Sequence, residues 1–543
     1  MRGWMLGLGA LALLAGCDDT DDDKGAPAPV PEATGPTFHA DIKPLVNAQC
    51  VSCHHEGGAA PFALETAEQV AAMAPAALAS IEAGRMPPWQ PDPACRHYRR
   101  ERILTAEQKA TFKAWVEAGS PAGEPTQAEE QAQVIDFVAD ISTSPAEPYV
   151  ADTERPDDYR CFALDADFAE DTFLAGAQVV PGDKAVVHHV LVYLVPPEKL
   201  AALEALDADD EGPGYTCYGG TGLGNTGPIV GWVPGMQPNF YEEGIARYVP
   251  AGSRMVMQIH YNTLAAAPAP DLTTVQFQTY DGPQPYVIDT KPQANLAIEI
   301  PAGDSQSEQV REFTNRGTEP LEVVGVAPHM HVLGQRIKVE VIRADGGEEC
   351  LIDIPDWDFN WQQSYEFLDG ERVVIAPGDK FRLTCLYDNS AANQPVVNGE
   401  QLEPRDVEWG EGTLDEMCLN FVTVVKAFEA PTGNAFETCR ASCAGDSAFG
   451  CVANCMAASP DSGECVIPQL FGGGGCANAC VPQALAARGC LVNCLTDSLG
   501  AGGGLATCMA EVCPEVYTPL ATCMDAEMAD GSCDEALSAC AGG

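Results

Sequence analysis

The stretch AVVHHVLVYLV at residues 185–195 decides the fold class, because β-branched and other apolar residues fill it on both sides of a histidine pair. Comparable runs are RMVMQIHYN at 254–262, LEVVGVAPHMHVLG at 321–334 and RVVIAPGDKFRLTCLYDN at 372–389, with Gly, Pro and Asp residues between them. Short strands at this spacing indicate antiparallel sheets packed face to face. The sequence therefore predicts two antiparallel β-sandwiches in the middle of a multidomain chain.

Changes in composition divide the rest of the chain. A polar Pro- and Ala-rich segment and a helical pattern precede the β-rich region, and a cysteine-rich segment follows it. The predicted units are a leader at 1–17, an acidic tether at 18–36, a small all-α domain at 37–122, a connector at 123–150, sandwiches at 151–295 and 296–432, and a cysteine-rich, disulfide-stapled α-helical hairpin region at 433–543.

The chain is strongly acidic. Its 543 residues include 29 Lys and Arg against 79 Asp and Glu, a formal net charge of -50. No basic patch can be assembled from so few dispersed cations, so we expect no nucleic acid partner. The charge favours solubility in an extracytoplasmic or salty medium, and steering of a basic partner is the alternative.

The N-terminus has the features of a secretory signal, with Arg2 before an apolar run that ends at Cys17. The sequence LAGC at 14–17 resembles the lipobox of bacterial lipoproteins, which implies that Cys17 carries lipid; a simple cleaved signal is the alternative. No other stretch approaches the roughly 18 apolar residues of a membrane span. We therefore expect export and attachment only by a lipid anchor, on the periplasmic side of a bacterial membrane or at the cell surface.

The pentapeptide CVSCH, from Cys50 through Cys53 to His54, is a c-type haem attachment signature. In such a motif the thiols form thioether bonds to the haem and the histidine ligates the iron, whereas a Cys50–Cys53 disulfide is the alternative. Helical patterns on both sides favour haem, and the segment resembles a small class I cytochrome c. The distal ligand is predicted to be Met86 in GRMPPW, with Met73 as the weaker candidate.

Ordered histidines in the β-rich region indicate two metal sites. His329 and His331 stand two residues apart, so both project from one face of a strand. His188 and His189 are neighbours, so a bulge or a strand end must turn one of them towards a third ligand, His260. Imidazole suits copper, and a thioether, here that of methionine 417 in the sequence DEMC, favours monovalent copper.

These motifs resemble those of the copper type II, ascorbate-dependent monooxygenases over residues 155–430. The resemblance implies two jelly-roll sandwiches with one copper ion on each. It implies that one ion relays electrons, on His188, His189 and His260. It implies that the other binds O2 and hydroxylates a C–H bond of a small organic substrate, on His329, His331 and Met417.

Three positions differ from the peptide-amidating members of the resembled family. Ala327 replaces an arginine that pairs with the substrate carboxylate, and Leu419 and Phe421 replace Asn and Tyr. The differences disfavour a peptide with a C-terminal glycine and favour an uncharged or aromatic substrate.

Each hydroxylation consumes two electrons, which the resembled family takes from ascorbate. We hypothesise that the haem of the same chain feeds the His188, His189 and His260 site and partly or wholly replaces ascorbate, since tethering raises the donor's effective concentration. The haem itself is then reduced by an ascorbate-like reductant or a periplasmic redox protein. The alternatives are fusion for joint export only, and a non-catalytic copper and haem electron-transfer lipoprotein.

The chain has 23 cysteines, of which one would carry lipid and two haem, so the remainder is compatible with a full set of disulfides. The family resemblance implies Cys161–Cys217 and Cys385–Cys418, while Cys95 and Cys350 are left for each other or for the C-terminal region. In that region, repeated Cys-x3-Cys motifs predict helical hairpins, with metal binding by thiolates as the alternative. The predicted pairings are Cys439–Cys455, Cys443–Cys451, Cys476–Cys494 and Cys480–Cys490.

Overall fold

The computed structural model describes residues 35–125, 137–428 and 480–528, together with 450 and 453, apart from short interruptions at 57, 59, 156, 166–167, 219, 224–227, 264–265, 284, 398 and 502–503. The leader with Cys17, and the predicted pairings Cys439–Cys455 and Cys443–Cys451, lie outside these residues. No helix within the described ranges is long and apolar enough to cross a membrane.

The N-terminal unit is helical. A π-helical turn at Phe38–Ile42 leads into α1 (Lys43–Gln49), and α2 (Ala67–Glu82) and α3 (Ala106–Glu117) follow. Both longer helices begin with a capping box, in which the N-cap threonine hydroxyl and a glutamine side chain satisfy the first free backbone N–H groups. The buried side chains of Phe112 and Trp115 on α3 close the core of the unit.

Among its described residues, the first half of the β-rich region contains ten strands and one α-helix. The strands are β1 (Ile141–Thr143), β2 (Asp157–Leu164), β3 (Thr172–Val180), β4 (Val187–Val195), β5 (Tyr215–Thr216), β6 (Pro228–Trp232), β7 (Asn239–Phe240), β8 (Ile245–Val249), β9 (Arg254–Asn262) and β10 (Thr274–Thr279). A 3-10 turn (Pro197–Lys199) and α4 (Leu200–Asp209) follow β4.

The part of the second half that the structure describes contains thirteen strands. They are β11 (Tyr286–Ala294), β12 (Glu299–Ile300), β13 (Ser307–Thr314), β14 (Leu321–His329), β15 (Gly334–Ile342), β16 (Glu348–Ile354), β17 (Tyr365–Glu366), β18 (Val373–Ile375), β19 (Lys380–Tyr387), β20 (Val396–Val397), β21 (Glu400–Gln401), β22 (Val407–Glu408) and β23 (Leu419–Ala427).

One sheet runs through both halves. Its order is β1-β10-β3-β8-β11-β23-β14-β17, with β7 on β3 and β18 on β14, and the halves join where β8 and β11 pair in parallel. A five-stranded sheet, β5-β2-β9-β4-β6, belongs to the first half, and a four-stranded sheet, β13-β19-β15-β16, belongs to the second. Each half has its own buried apolar cluster. The chain therefore consists mostly of β-sheet domains, as the sequence predicts.

The strand β11 ends at Ala294 and pairs along its whole length with β23. It precedes the predicted division at 295, yet its main partner belongs to the second half. The two halves of the β-rich region are therefore continuous near residue 295, because the hydrogen bonds between β11 and its neighbouring strands connect them.

Disulfides connect distant parts of the fold. The structure pairs Cys161 with Cys217 and Cys385 with Cys418, which are the two bridges that the family resemblance implies. It also pairs Cys95 with Cys350, so the helical unit is covalently tied to the second half of the β-rich region. Multiple disulfides are typical of an extracellular or periplasmic protein.

The cysteine-rich region is helical, with α5 (Val481–Ala486), α6 (Arg488–Ala501), α7 (Leu505–Val512) and α8 (Pro514–Met528). Its predicted pairings are wrong where the structure describes them. Instead of Cys476–Cys494 and Cys480–Cys490, the structure has the bridges Cys480–Cys523, Cys490–Cys513 and Cys494–Cys508.

The reason lies in the helix pairing. Residues four apart share a helix face, so Cys490 and Cys494 both face the neighbouring helix α7 and bridge to cysteines within it or directly after it. The prediction instead assumed that each Cys-x3-Cys pair bridges the next one along the chain.

Candidate metal centres

The first histidine cluster lies on the neighbouring strands β4 and β9. His189 is the cross-strand partner of His260, and the register shifts between Val187 and His189, so His188 is the extra residue of a bulge. This is the local irregularity that two adjacent histidines need in order to face one point. The Nδ1 atoms of His189 and His260 are 3.3 Å apart, and ligand atoms of all three histidines lie within 4.8 Å of one another.

Strand β2 fixes the orientation of His260. The Nε2–H group of His260 donates to Asp157 Oδ1 at 2.8 Å, and the ring of Tyr159 stacks on the imidazole at 4.2 Å. Asp157 also accepts hydrogen bonds from Asn262 and Thr413. A carboxylate that holds one ring nitrogen leaves the other free to bind a metal, and here the free nitrogen is the Nδ1 that faces His189.

The electrostatics of the first cluster fit a metal ligand set. Burial, followed by the neighbouring His260, lowers the pKa of His188 to about 3 and that of His189 well below its usual value. Both imidazoles are therefore neutral at physiological pH, as metal binding requires. The Nδ1 atom of His188 is buried without a hydrogen-bond partner, which is the state of a ligand nitrogen whose partner is an ion.

The second cluster lies where β14 ends and β23 begins. His329 is the last residue of β14 and the partner of Leu419, and His331 follows in the adjoining turn, with 5.1 Å between the ring centroids of the two histidines. Burial lowers the pKa of His329 to about 4 and that of His331 to about 3. Met417 is 6 % exposed and lines the same cavity as both rings.

A buried carboxylate holds the second cluster together. Glu416 is fully buried and accepts hydrogen bonds from the backbone N–H groups of His331 at 2.8 Å, Leu333 at 2.6 Å and Met417 at 3.2 Å. Burial raises the pKa of Glu416 to about 8, and these three donors oppose that shift. One side chain therefore fixes the histidine turn and the methionine relative to each other.

Further contacts select the ligand nitrogens of this cluster. The Nδ1–H group of His331 donates to the carbonyl of Asp415 at 3.0 Å, and that of His329 donates to Gln362 Oε1. Both Nε2 atoms are thereby left for a metal. The Tyr387 hydroxyl donates to the Met417 carbonyl at 2.7 Å, next to the Cys385–Cys418 bridge.

A cavity of about 470 Å³ is lined by His189 of the first cluster and by His329, His331 and Met417 of the second. Its wall includes Ala327, Leu419 and Phe421, the three positions at which the sequence differs from the peptide-amidating pattern. Apolar residues make up much of the wall, as in many small-molecule sites, and charged side chains including Arg247 and Arg372 also line it. The cavity therefore joins the predicted metal ligands to a space for an organic molecule.

The predicted haem residues lie in the helical unit. Of the cysteines that the structure describes, Cys50 and Cys53 have free thiols, so the alternative Cys50–Cys53 disulfide is not formed. Burial, with a smaller effect of Cys53, raises the pKa of Cys50 to about 12. The ring of His54 contacts the Phe62 carbonyl through Nδ1 at 3.1 Å and keeps Nε2 free. Met86 is 41 % exposed, on the loop after α2.

Sequence reasoning missed the side chains that orient the ligands. Glu416 lies inside the DEMC motif, and an acidic residue next to a predicted buried metal ligand could have indicated a carboxyl group that positions that ligand. Asp157 and Gln362 belong to no motif, and only the folded chain brings them to His260 and His329.

Residues 299–447 match the sequence model of the C-terminal domain of copper type II ascorbate-dependent monooxygenases. The matched segment contains the second cluster with Met417. The match supports the family that the motifs resemble and indicates a copper-dependent monooxygenase, with O2, a substrate and a reductant as its partners. No curated protein matches the chain.

Similarities to solved structures are weak. A structure of infectious bursal disease virus, Gx strain, has 10 % identity and a TM-score of 0.17, and the match covers 55 % of this chain and 75 % of the viral chain. Allantoicase from Saccharomyces cerevisiae has 9 % identity and a TM-score of 0.13, with 51 % and 80 % covered. At such scores the similarities define neither the fold nor the function.

Proposed function

We propose that this protein is an exported copper monooxygenase that hydroxylates a C–H bond of a small organic molecule with O2, and that a c-type haem on the same chain supplies electrons. The observation that carries the proposal is the gathering of five histidines and Met417 into two clusters, of which His189, His329, His331 and Met417 line one cavity. The haem and the lipid anchor at Cys17 rest on sequence motifs.

Two copper ions are assigned to two ligand sets. The first set is His188, His189 and His260, in which the Nδ1 atoms of His188 and His260 would bind the ion. The second set is His329, His331 and Met417, in which both histidines would bind through Nε2. When bound, copper supplies the one-electron redox chemistry with which dioxygen is reduced. The second set holds the reaction centre, because it alone contains a thioether.

The protein's own side chains define what can react. Leu419 and Phe421 line the cavity together with Met417 and give this part of its wall an apolar surface. Ala327 offers no charge to a carboxylate at its position, which supports an uncharged or aromatic substrate beside His329. Glu416 keeps Met417 and His331 in fixed positions while the substrate binds.

The haem proposal rests on two free thiols and one oriented imidazole. Cys50 and Cys53 would hold the haem covalently, and His54 would ligate its iron through Nε2. Met86 is the proposed distal ligand, since a methionine there raises the potential to a range suited to electron transfer. An ascorbate-like reductant or a periplasmic redox protein would re-reduce it.

The decisive experiment mixes the fully reduced chain rapidly with O2 and follows the haem absorbance, with and without copper. Copper should accelerate haem oxidation strongly, and Met417→Ile should slow it, because the ion would lose its thioether ligand. Met255→Ile is the matched control, since Met255 is a buried methionine near the start of β9, at the other end of the strand from His260. Label from isotopic O2 in an organic product then identifies substrates.

A haem oxidation rate that ignores both copper and Met417 would contradict electron delivery through the copper sites. Normal copper-dependent oxidation without labelled product from any uncharged or aromatic candidate would favour the electron-transfer lipoprotein instead.

A further inference from the structure

One loop contacts both histidine clusters. Residues 357–362, here called the bridging loop, connect β16 to β17. Within it, Gln362 accepts the hydrogen bond from His329, and the ring of Phe359 lies 4.9 Å from that of His188 and 6.0 Å from that of His331. The loop is therefore in direct contact with one ligand of the first cluster and two of the second.

The same loop meets the haem attachment motif on its other side. Gly235 packs so closely on Trp361 that an added Cβ would come within 2.6 Å of the indole Cη2 atom. The Gly235 carbonyl oxygen is 3.8 Å from Cys53 Sγ. The guanidinium of Arg102 lies 5.9 Å from the Trp361 ring centroid and 4.0 Å from Cys53 Sγ. Two sets of contacts thus lead from Cys53 to one indole ring.

Firm contacts hold this arrangement in place. The Gln237 side chain donates to the Ser52 carbonyl at 2.8 Å, inside the CVSCH motif. Nearby, the Tyr98 hydroxyl donates to the Leu351 carbonyl at 2.7 Å, beside the bridge that joins residues 95 and 350. The haem unit is therefore fixed against the bridging loop, so no diffusive encounter is needed between them.

We propose that the bridging loop conducts electrons from the haem site to the copper sites, and that they arrive first at the second cluster, through Trp361 and Gln362 to His329. This inference rests on the proposed function. Electron tunnelling decays less steeply along covalent and hydrogen bonds than through space. The route to His329 passes from Trp361 to the covalently bonded Gln362 and along its hydrogen bond. The route to His188 instead follows the backbone from Trp361 to Phe359 and then crosses the 4.9 Å between the Phe359 and His188 rings.

The route differs from the hypothesis drawn from the sequence, which sends electrons to the His188, His189 and His260 site. In each step, iron held by His54 passes from the ferrous to the ferric state and one cupric ion becomes cuprous. An external one-electron reductant such as ascorbate restores the ferrous iron, and two such transfers supply one hydroxylation.

The test measures electron transfer inside the intact chain, without turnover. Oxidised protein with haem and copper bound is kept anaerobic, a pulse-generated organic radical reduces the haem, and the decay of the ferrous haem band is followed. Freeze-quenched samples report the loss of the cupric signal in electron paramagnetic resonance. Trp361→Leu should slow the decay by an order of magnitude or more, while the haem potential and copper content stay unchanged.

Two further variants guard against a purely structural effect. Trp361→Phe keeps an aromatic ring in contact with Gly235 and should give an intermediate rate. Trp89→Leu is the matched control, because Trp89 packs on Tyr98 and Tyr365 at the same junction without reaching Cys53 or Gln362, and it should leave the rate unchanged.

Ligand variants identify which copper receives the electron first. The fast phase should persist in His188→Ala and disappear in His329→Ala. The opposite pattern, or an unchanged rate in Trp361→Leu, overturns the route while the proposed function stands. A chain without a haem spectrum or without bound copper overturns the proposed function itself, and the route with it.

Discussion

The two histidine clusters share a cavity but are built in different ways. In the first, the ligands and their carboxylate partner Asp157 lie on three neighbouring strands, and cross-strand register with one bulge brings them together. In the second, the ligands lie at a strand end and in a turn, and the buried Glu416 ties them to each other. The first site therefore depends on the sheet, whereas the second depends on one polar side chain.

The largest expected effect comes from Glu416→Ala, which removes the acceptor of three buried N–H groups. Each donor left unsatisfied costs about 1–3 kcal/mol, so we expect a loss of at least ~3 kcal/mol in the free energy of unfolding. Copper stoichiometry should fall by the ion of the second cluster only. Urea unfolding and metal analysis measure the two effects.

The neighbouring Asp415→Ala is the control for this variant. The Asp415 side chain is 40 % exposed and pairs with Arg405, so its loss should cost under about 1 kcal/mol, and its backbone carbonyl still serves His331. If Glu416→Ala retained both ions and full stability, the second cluster would not depend on this carboxylate.

A smaller effect is expected from variants that each lower the copper affinity of one cluster only. Asp157→Asn removes the charge that orients His260 and should weaken copper binding at the first cluster by about 10–100-fold, the usual effect of losing such a partner. Gln362→Leu should do the same at the second cluster through His329. Anaerobic copper titration of both variants tests whether each change stays at its own site. Equal weakening of both sites by either variant would mean that the clusters are one coupled unit.

The smallest effect concerns a turn remote from both clusters, in the second half of the β-rich region. Burial raises the pKa of Asp379, but hydrogen bonds from Arg343 and the backbone of Ala344 and Ala376 outweigh this and hold the pKa below its usual value. The carboxylate therefore adds stability above its unfolded-state pKa, and this is lost as pH falls through the folded-state pKa.

Asp379→Asn should accordingly lower the free energy of unfolding at neutral pH, and the difference from wild type should shrink in acid. Copper affinity at both clusters should stay unchanged in this variant. Urea unfolding at several pH values checks the trend, and a gap that widens in acid would contradict it.

The sequence predicted what depends on local periodicity. The bulge at His188 follows from two adjacent histidines in a strand. His329 and His331 do not share a strand face as predicted, because β14 ends at His329 and His331 lies in the turn that follows. The β-sheet domains follow from the spacing of the strands. Each of these features involves residues close in sequence.

The features that were missed involve long-range contacts or a choice between equivalent partners. Glu416 reaches His331 across 85 residues, and Gln362 reaches His329 across 33. In the cysteine-rich region, spacing alone could not tell whether Cys494 bridges back to Cys476 or forward to Cys508. The sequence also could not predict the sheet that runs through both halves, because the pairing of β8 with β11 produces no periodic pattern in the sequence.

The bridge between Cys95 and Cys350 has a consequence for the order of maturation. Its cysteines are 255 residues apart, so during synthesis Cys95 exists as a thiol long before its partner does. Throughout that interval it shares the nascent helical unit with Cys50 and Cys53. A premature bridge between Cys95 and either thiol would prevent both the proposed haem attachment and the Cys95–Cys350 bridge. If haem is attached as proposed, biogenesis must protect or modify Cys50 and Cys53 before oxidation of the chain is complete.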